Sequence, residues 1–314
     1  MSIIFYLTLP FFALVGLGFL AAWLKMFEAN AVASLNTFVF NFAMPALVIT
    51  ALAPQDFSAL VEPAMLFGWL AAAALIYGLA MIVSKFAFGS DIREMALMGQ
   101  AASVSNVGFL AIPLIASAFG PEAIRIPAAL LVVDLLVIIP FSLVLIEAAG
   151  GGTPQQAIFR SLKGAVVNPF CIAISIGVIF SATGVGLPGP TERFAEFLAG
   201  AAGPTALFAL GLSLSGRQIA DERIPVVFIC VLKLIAHPLL AYGICLSLGV
   251  SGLSLALVVV VAAMPVAGNV FVIAEHYGVM VKRGSTAVLV STILATLTVA
   301  YVLGQALVLP YLVR

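Results

Sequence analysis

Asn106 and Asn269 are the side chains with the clearest chemistry to offer. Each is a neutral amide, donor and acceptor at once, set in an apolar stretch interrupted by glycine and proline. The first lies in GQAASVSNVGFLAIPLIASAFG, Gly99 to Gly120, among Ser103, Ser105, Gly108 and Pro113; the second lies in AAMPVAGNVFVIAEHYG, Ala262 to Gly278, with Pro265 and Gly268. Proline removes a backbone donor and frees a carbonyl four residues earlier, and glycine lowers the cost of unwinding. Unwound backbone at membrane depth persists only where protein or a polar cavity satisfies it. Two such breaks in matching positions of two halves point to a transporter's binding site. Where such helices break, the N-terminal ends of the half-helices present N–H groups and a positive dipole end, which suits a carboxylate. Ser103 and Ser105 either add hydroxyl donors or bond their own helix backbone. The asparagines either share a site or cap the broken ends of their own helices.

Asp134 and Lys233 are charges inside apolar stretches, and each must be paired or hydrated, so both are expected to face the bundle interior. They form a mutual ion pair, snorkel to an interface, or serve coupling or anion attraction. His237, one turn beyond Lys233 and followed by Pro238, is a titratable group or a hydrogen-bonded residue at a kink. Glu275 and His276, beside Lys282 and Arg283, read as solvated interface charges.

These groups need a frame, and composition defines it. Of 314 residues, 64% are hydrophobic and 8% charged, so this is a polytopic α-helical membrane protein. Thirteen basic residues balance thirteen acidic ones, which argues against nucleic acid and against a polybasic lipid-binding surface. Cys171, Cys230 and Cys245 fall inside apolar stretches, without the close spacing of zinc or redox motifs. Metalloprotease and P-loop signatures are missing, and two histidines leave little for a metal site, so neither an enzyme nor a resident cofactor is expected.

Apolar runs between turn-rich breaks give ten expected spans, near 3–24, 32–52, 63–85, 95–119, 124–146, 165–183, 194–214, 224–249, 253–277 and 284–309. The two halves repeat: Pro10-Phe11 with Gly18 recurs as Pro169-Phe170 with Gly177, Pro45 as Pro204, and Phe119-Gly120 as Tyr277-Gly278. Five spans per copy is odd, so the copies enter the membrane from opposite sides, an inverted repeat. The expected organisation is 1–147 for the first repeat, 148–163 for a short cytoplasmic linker and 164–314 for the second. The N-terminal apolar run lacks a basic leader and has a counterpart later in the chain, so it reads as a mature span. With the N-terminus outside, Lys25, Lys85, Arg93, Arg160, Lys163, Arg217, Arg223, Lys282 and Arg283 face the cytoplasm, against Arg125, Arg193 and Arg314 outside. That bias favours both termini outside.

Four runs carry a family resemblance. LNTFVFNFAMPAL from Leu35, SNVGFLAIP from Ser105, GPTALFALGLSL from Gly203 and AMPVAGNVF from Ala263 are similar to the auxin efflux carrier family, which includes plant auxin exporters and bacterial carriers described as malonate transporters. The resemblance covers the whole chain in order. It implies ten spans in two inverted repeats, with the fourth and ninth crossing as broken helices. Spans three to five and eight to ten would form a mobile transport domain; spans one, two, six and seven would form a scaffold that commonly dimerises. It also implies an organic anion carried by an elevator-like motion in the cell (inner) membrane, with Asn106, Asn269, Pro113 and Pro265 as crossover residues. Plant members often carry a long hydrophilic insert between the halves, which Glu147 to Lys163 replaces here with a short connection.

The expected function is therefore a secondary transporter or facilitator of small carboxylates. A sodium- or proton-coupled symporter of related fold is the alternative mechanism, and a membrane anion sensor the alternative class.

Overall fold

The computed structural model describes residues 2–28, 30–55, 62–151, 153–214 and 223–312. Arg217 and Arg314, used above to orient the chain, lie outside the described residues. Those described are mostly helical, with no strand among them.

In chain order the helices are α1 Ser2–Trp23, α2 Ala31–Leu52, α3 Pro63–Phe88, α4 Ile92–Ser103, α5 Val107–Phe119 and α6 Pro121–Ala149. They continue as α7 Pro154–Val166, α8 Pro169–Thr183, α9 Gly189–Leu214, α10 Arg223–Ser247, α11 Gly252–Ala262, α12 Asn269–Tyr277 and α13 Val281–Leu312. Among the described residues, six helices are long and apolar enough to cross a membrane, within α2, α3, α6, α9, α10 and α13. Ala13–Trp23, Val107–Phe119, Pro169–Thr183 and Gly252–Ala262 are shorter apolar helices.

Local sequence explains the ends. Asp91 caps α4 by accepting from the Glu94 amide at 2.8 Å, and Asn168, ahead of Pro169, caps α8 by accepting from Phe170 at 2.9 Å. Gly120 and Gly278 end α5 and α12 at φ 92° and 64°, a region that costs glycine little and other residues much. Prolines mark the kinks. Pro45, Pro113, Pro140 and Pro238 each follow a π turn by two residues, the turns being Val39–Ala43, Val107–Ala111, Asp134–Ile138 and Leu232–Ala236. A proline cannot donate to the carbonyl four residues back, and the widened turn accommodates the missing bond. The stretch read as a plain linker contains an amphipathic helix, α7, which runs on to Val166 and exposes Ile158 and Phe159.

The chain divides into two compact units. One comprises Met1–Glu62, Val107–Ala129 and Val166–Gly216; here α1 packs on α9, and α8 packs on the second half of α2. Glycines permit both approaches: a Cβ on Gly211 would lie 2.0 Å from the Val15 carbonyl oxygen, and one on Gly177 would lie 2.7 Å from Leu52 Cβ. The other unit comprises Pro63–Asn106, Leu130–Ala165 and Arg217–Arg314. In it α3 packs against α4 and α10, and α13 against α10, α11 and α12.

Candidate functional site

In the second unit parts of the two interrupted stretches meet. α4 ends at Ser103, and Val104 turns the chain into extended backbone at φ −81°, ψ 121°. α11 ends at Ala262, and the backbone resumes as helix only at Asn269. Between these ends the two segments run antiparallel, bridged at Ser105 and Val266. The Asn106 N–H donates to the Pro265 carbonyl at 3.0 Å, and the Ala267 N–H donates to the Val104 carbonyl at 3.3 Å. Ser291 on α13 accepts from the Val266 N–H at 3.1 Å. Backbone that leaves a helix in a water-poor setting needs such partners.

This bonding redistributes the donors. The amides of Asn106, Val266 and Ala267 are committed to protein acceptors, so they are not the ones that meet an anion. The Ser103 hydroxyl donates to the Gly99 carbonyl at 2.8 Å, within its own helix. Ser105 Oγ and Asn269 Oδ1 are buried polar atoms without a hydrogen-bond partner, and the Asn106 side chain is buried. Gly268 caps the start of α12, where the Val270 N–H donates to the Ala267 carbonyl at 3.2 Å and the Phe271 N–H to the Gly268 carbonyl at 3.1 Å. The unit thus gathers Ser105, Asn106, Pro265, Gly268 and Asn269 within a few residues of one bridge, with Ser103 at the end of α4.

Gly108 and Pro113 belong to the other unit, as packing positions. A Cβ on Gly108 would lie 3.0 Å from Phe170 Cζ, and Pro113 lies 3.3 Å from where a Cβ on Gly203 would sit. Phe40 stacks on Phe109 and meets Phe170 edge to face in the same region.

Asp134, Lys233 and His237 are all fully buried, so neither charge snorkels. They do not form a direct ion pair: Asp134 Oδ1 accepts from the Trp69 indole N–H at 2.9 Å, and Oδ2 has no partner. Lys233 Nζ donates to the Ala262 carbonyl at 2.6 Å and lies 3.1 Å from His237 Nδ1. The His237 ring lies 5.0 Å from that of Trp69, which joins the four side chains into one buried cluster.

Sequence reasoning passed over three residues here. Trp69 and Ser291 supply cross-helix hydrogen bonds that no local pattern announces. Gln100 is fully buried in α4 with both amide atoms unpartnered; a polar side chain within an apolar stretch was the available signal.

Comparison with known proteins decides the family. A family profile described as "Membrane transport protein" matches residues 3–303. The chain belongs to that family, the auxin efflux carriers. Across 300 residues it is 31% identical to the "Putative malonate transporter" of Rhizobium meliloti, covering 93% of this chain and 92% of that one. An uncharacterized transporter of Methanothermobacter thermautotrophicus is 29% identical over 289 residues, 92% of this chain and 93% of its own. One of Escherichia coli is 22% identical over 298 residues, 91% and 92% of the two chains. This auxin efflux carrier family member is a multi-pass membrane transport protein.

Proposed function

We propose that the protein is a secondary carrier of small organic anions, carboxylates such as malonate or auxin-like acids, and that it binds them beside the antiparallel crossing at Ser105 and Val266. The observation that carries this reading is the crossing itself, with Ser105 Oγ and Asn269 Oδ1 buried and unpartnered beside it. A buried polar atom without a partner costs free energy, and a bound ligand that satisfies it recovers that cost. Turning the Asn269 amide through a half circle presents its N–H2 group, so the same side chain donates to a carboxylate. Asn106 provides the matching amide, and the N-terminal end of α12 adds the positive pole of a helix dipole.

The reading places ten crossings in the cell inner membrane as two inverted repeats, the broken pairs α4–α5 and α11–α12 counting as one crossing each, with both termini outside. Gly18 and Gly177, equivalent in the sequence repeat, make close contacts with α9 and α2 respectively, which supports an exchange of partners between the copies. Spans one, two, six and seven act as a scaffold that pairs with a second copy, and spans three to five and eight to ten carry the anion in an elevator motion. The name of the Rhizobium relative favours a dicarboxylate.

Uptake of radiolabelled malonate into proteoliposomes tests the function. The native protein is expected to accumulate label above empty vesicles and to lose that uptake on Asn269→Ala. Binding without flux would make the protein a sensor, and the transport reading would fall.

A further inference from the structure

The carbonyl that ends a helix in mid-membrane needs a donor, because hydrocarbon supplies none. Ala262 ends α11 beside the crossing, and its carbonyl accepts from Lys233 Nζ at 2.6 Å. Lys233 rides on the π turn Leu232–Ala236 of α10 and is completely buried. Its Nζ lies 2.6 Å from the Ala262 carbonyl oxygen and 3.1 Å from His237 Nδ1. The end of α11 adds the negative pole of its dipole. An unwound carbonyl and a half-helix C-terminus are the groups that coordinate a small monovalent cation in carriers with broken helices. Here a covalently attached cation meets them.

We propose that Lys233 is a built-in cation: its ammonium occupies the place a free coupling cation would take at the break after α11, and it holds the crossing in its binding arrangement. This deepens the carrier reading and rests on it. Two consequences follow for the chain. Uptake by the native protein is indifferent to the monovalent cation in the medium. Truncation of the side chain leaves a polar hollow that a small free cation can refill. Lys233 is thus a positioning residue, acting on the anion through the backbone of Ala262 and the segment that follows it.

The test compares the native protein, Lys233→Ala and Lys233→Met, in sodium, ammonium, methylammonium or N-methylglucamine chloride at equal ionic strength. Malonate uptake is read in proteoliposomes, and the melting temperature is read in detergent without substrate. Loss of one partner from a buried charge cluster is expected to lower uptake of Lys233→Ala in N-methylglucamine by about tenfold or more. Ammonium or methylammonium is expected to restore most of that loss and to raise the melting temperature of Lys233→Ala alone. Lys233→Met fills the hollow with an apolar chain and is expected to gain nothing. Dependence of native uptake on sodium would overturn the proposal. So would an equal melting shift in all three proteins, or no shift in Lys233→Ala. The melting arm uses no substrate, so its failure is distinct from a failure of the carboxylate reading.

Discussion

Trp69 and Ser291 show what single side chains do where water is scarce. Trp69→Phe keeps a ring against His237 and removes the indole N–H that donates to Asp134 Oδ1, leaving both carboxylate oxygens unbonded. We expect a loss of about 1 to 3 kcal/mol, the cost of an unsatisfied buried acceptor, read as a lower denaturation midpoint in detergent. Ser291→Ala strips the acceptor from the Val266 N–H. It is expected to weaken malonate binding as well as stability, because that amide belongs to the crossing. Asp134 and Lys233 stood out in the sequence as charges in apolar stretches, yet their partners did not. The bonds reach 65 residues to Trp69 and 29 residues to Ala262, and nothing in a local window encodes such pairings. Ser103 bonds its own helix, one of the two readings its type allowed. Gln100 was overlooked although it follows Gly99 in the first interrupted stretch, because it sits in regular helix ahead of the break after Ser103.

Among the elements, breaks and kinks were the most legible features, since glycine and proline write them directly into the chain. Pro265 lies in the unwound backbone itself, as its position implied. Pro113 does not: the first crossing segment unwinds at Val104–Asn106, and Pro113 lies seven residues after Asn106, beyond a π turn. The missing proline donor acts on the carbonyl four residues earlier, so a proline shifts its distortion toward the N-terminus. Helix α7 escaped notice because its apolar residues are too few for a span and its polar ones resemble a loop. Helix contacts yield a sharp contrast. Gly211→Val would drive a side chain into the Val15 carbonyl, and we expect it to cost about 1 to 3 kcal/mol or to prevent folding. Gly16→Ala meets open space and is expected to be neutral or to gain up to about 1 kcal/mol from helix propensity. Denaturation midpoints of the two variants in detergent check the pair.

At the scale of the whole molecule, composition alone placed the chain in a membrane, and runs of residues spread along its length placed it in its family. The division into units was beyond local reading, because each unit is assembled from three separate stretches. Orientation remains open to a direct test. In a background with Cys171, Cys230 and Cys245 replaced by serine, intact cells carrying Gly186→Cys are expected to react with a membrane-impermeant thiol reagent. Cells carrying Lys163→Cys are expected to react only after permeabilisation. The opposite pattern would reverse the topology. A crosslink between two copies through the α2 or α9 surface would support the dimeric scaffold.

The central claim is that two distant, interrupted stretches make one anion site, and equilibrium binding tests it most directly. Thermal stabilisation of the purified protein by malonate and a panel of mono- and dicarboxylates is to be measured for the native chain, Asn106→Ala and Asn269→Ala. A ligand held at a hundred times its Kd raises stability by about 2.7 kcal/mol. The account predicts that at least one acid stabilises the native protein and that both substitutions abolish the effect. Stabilisation that survives both substitutions, or no stabilisation by any acid, would contradict it.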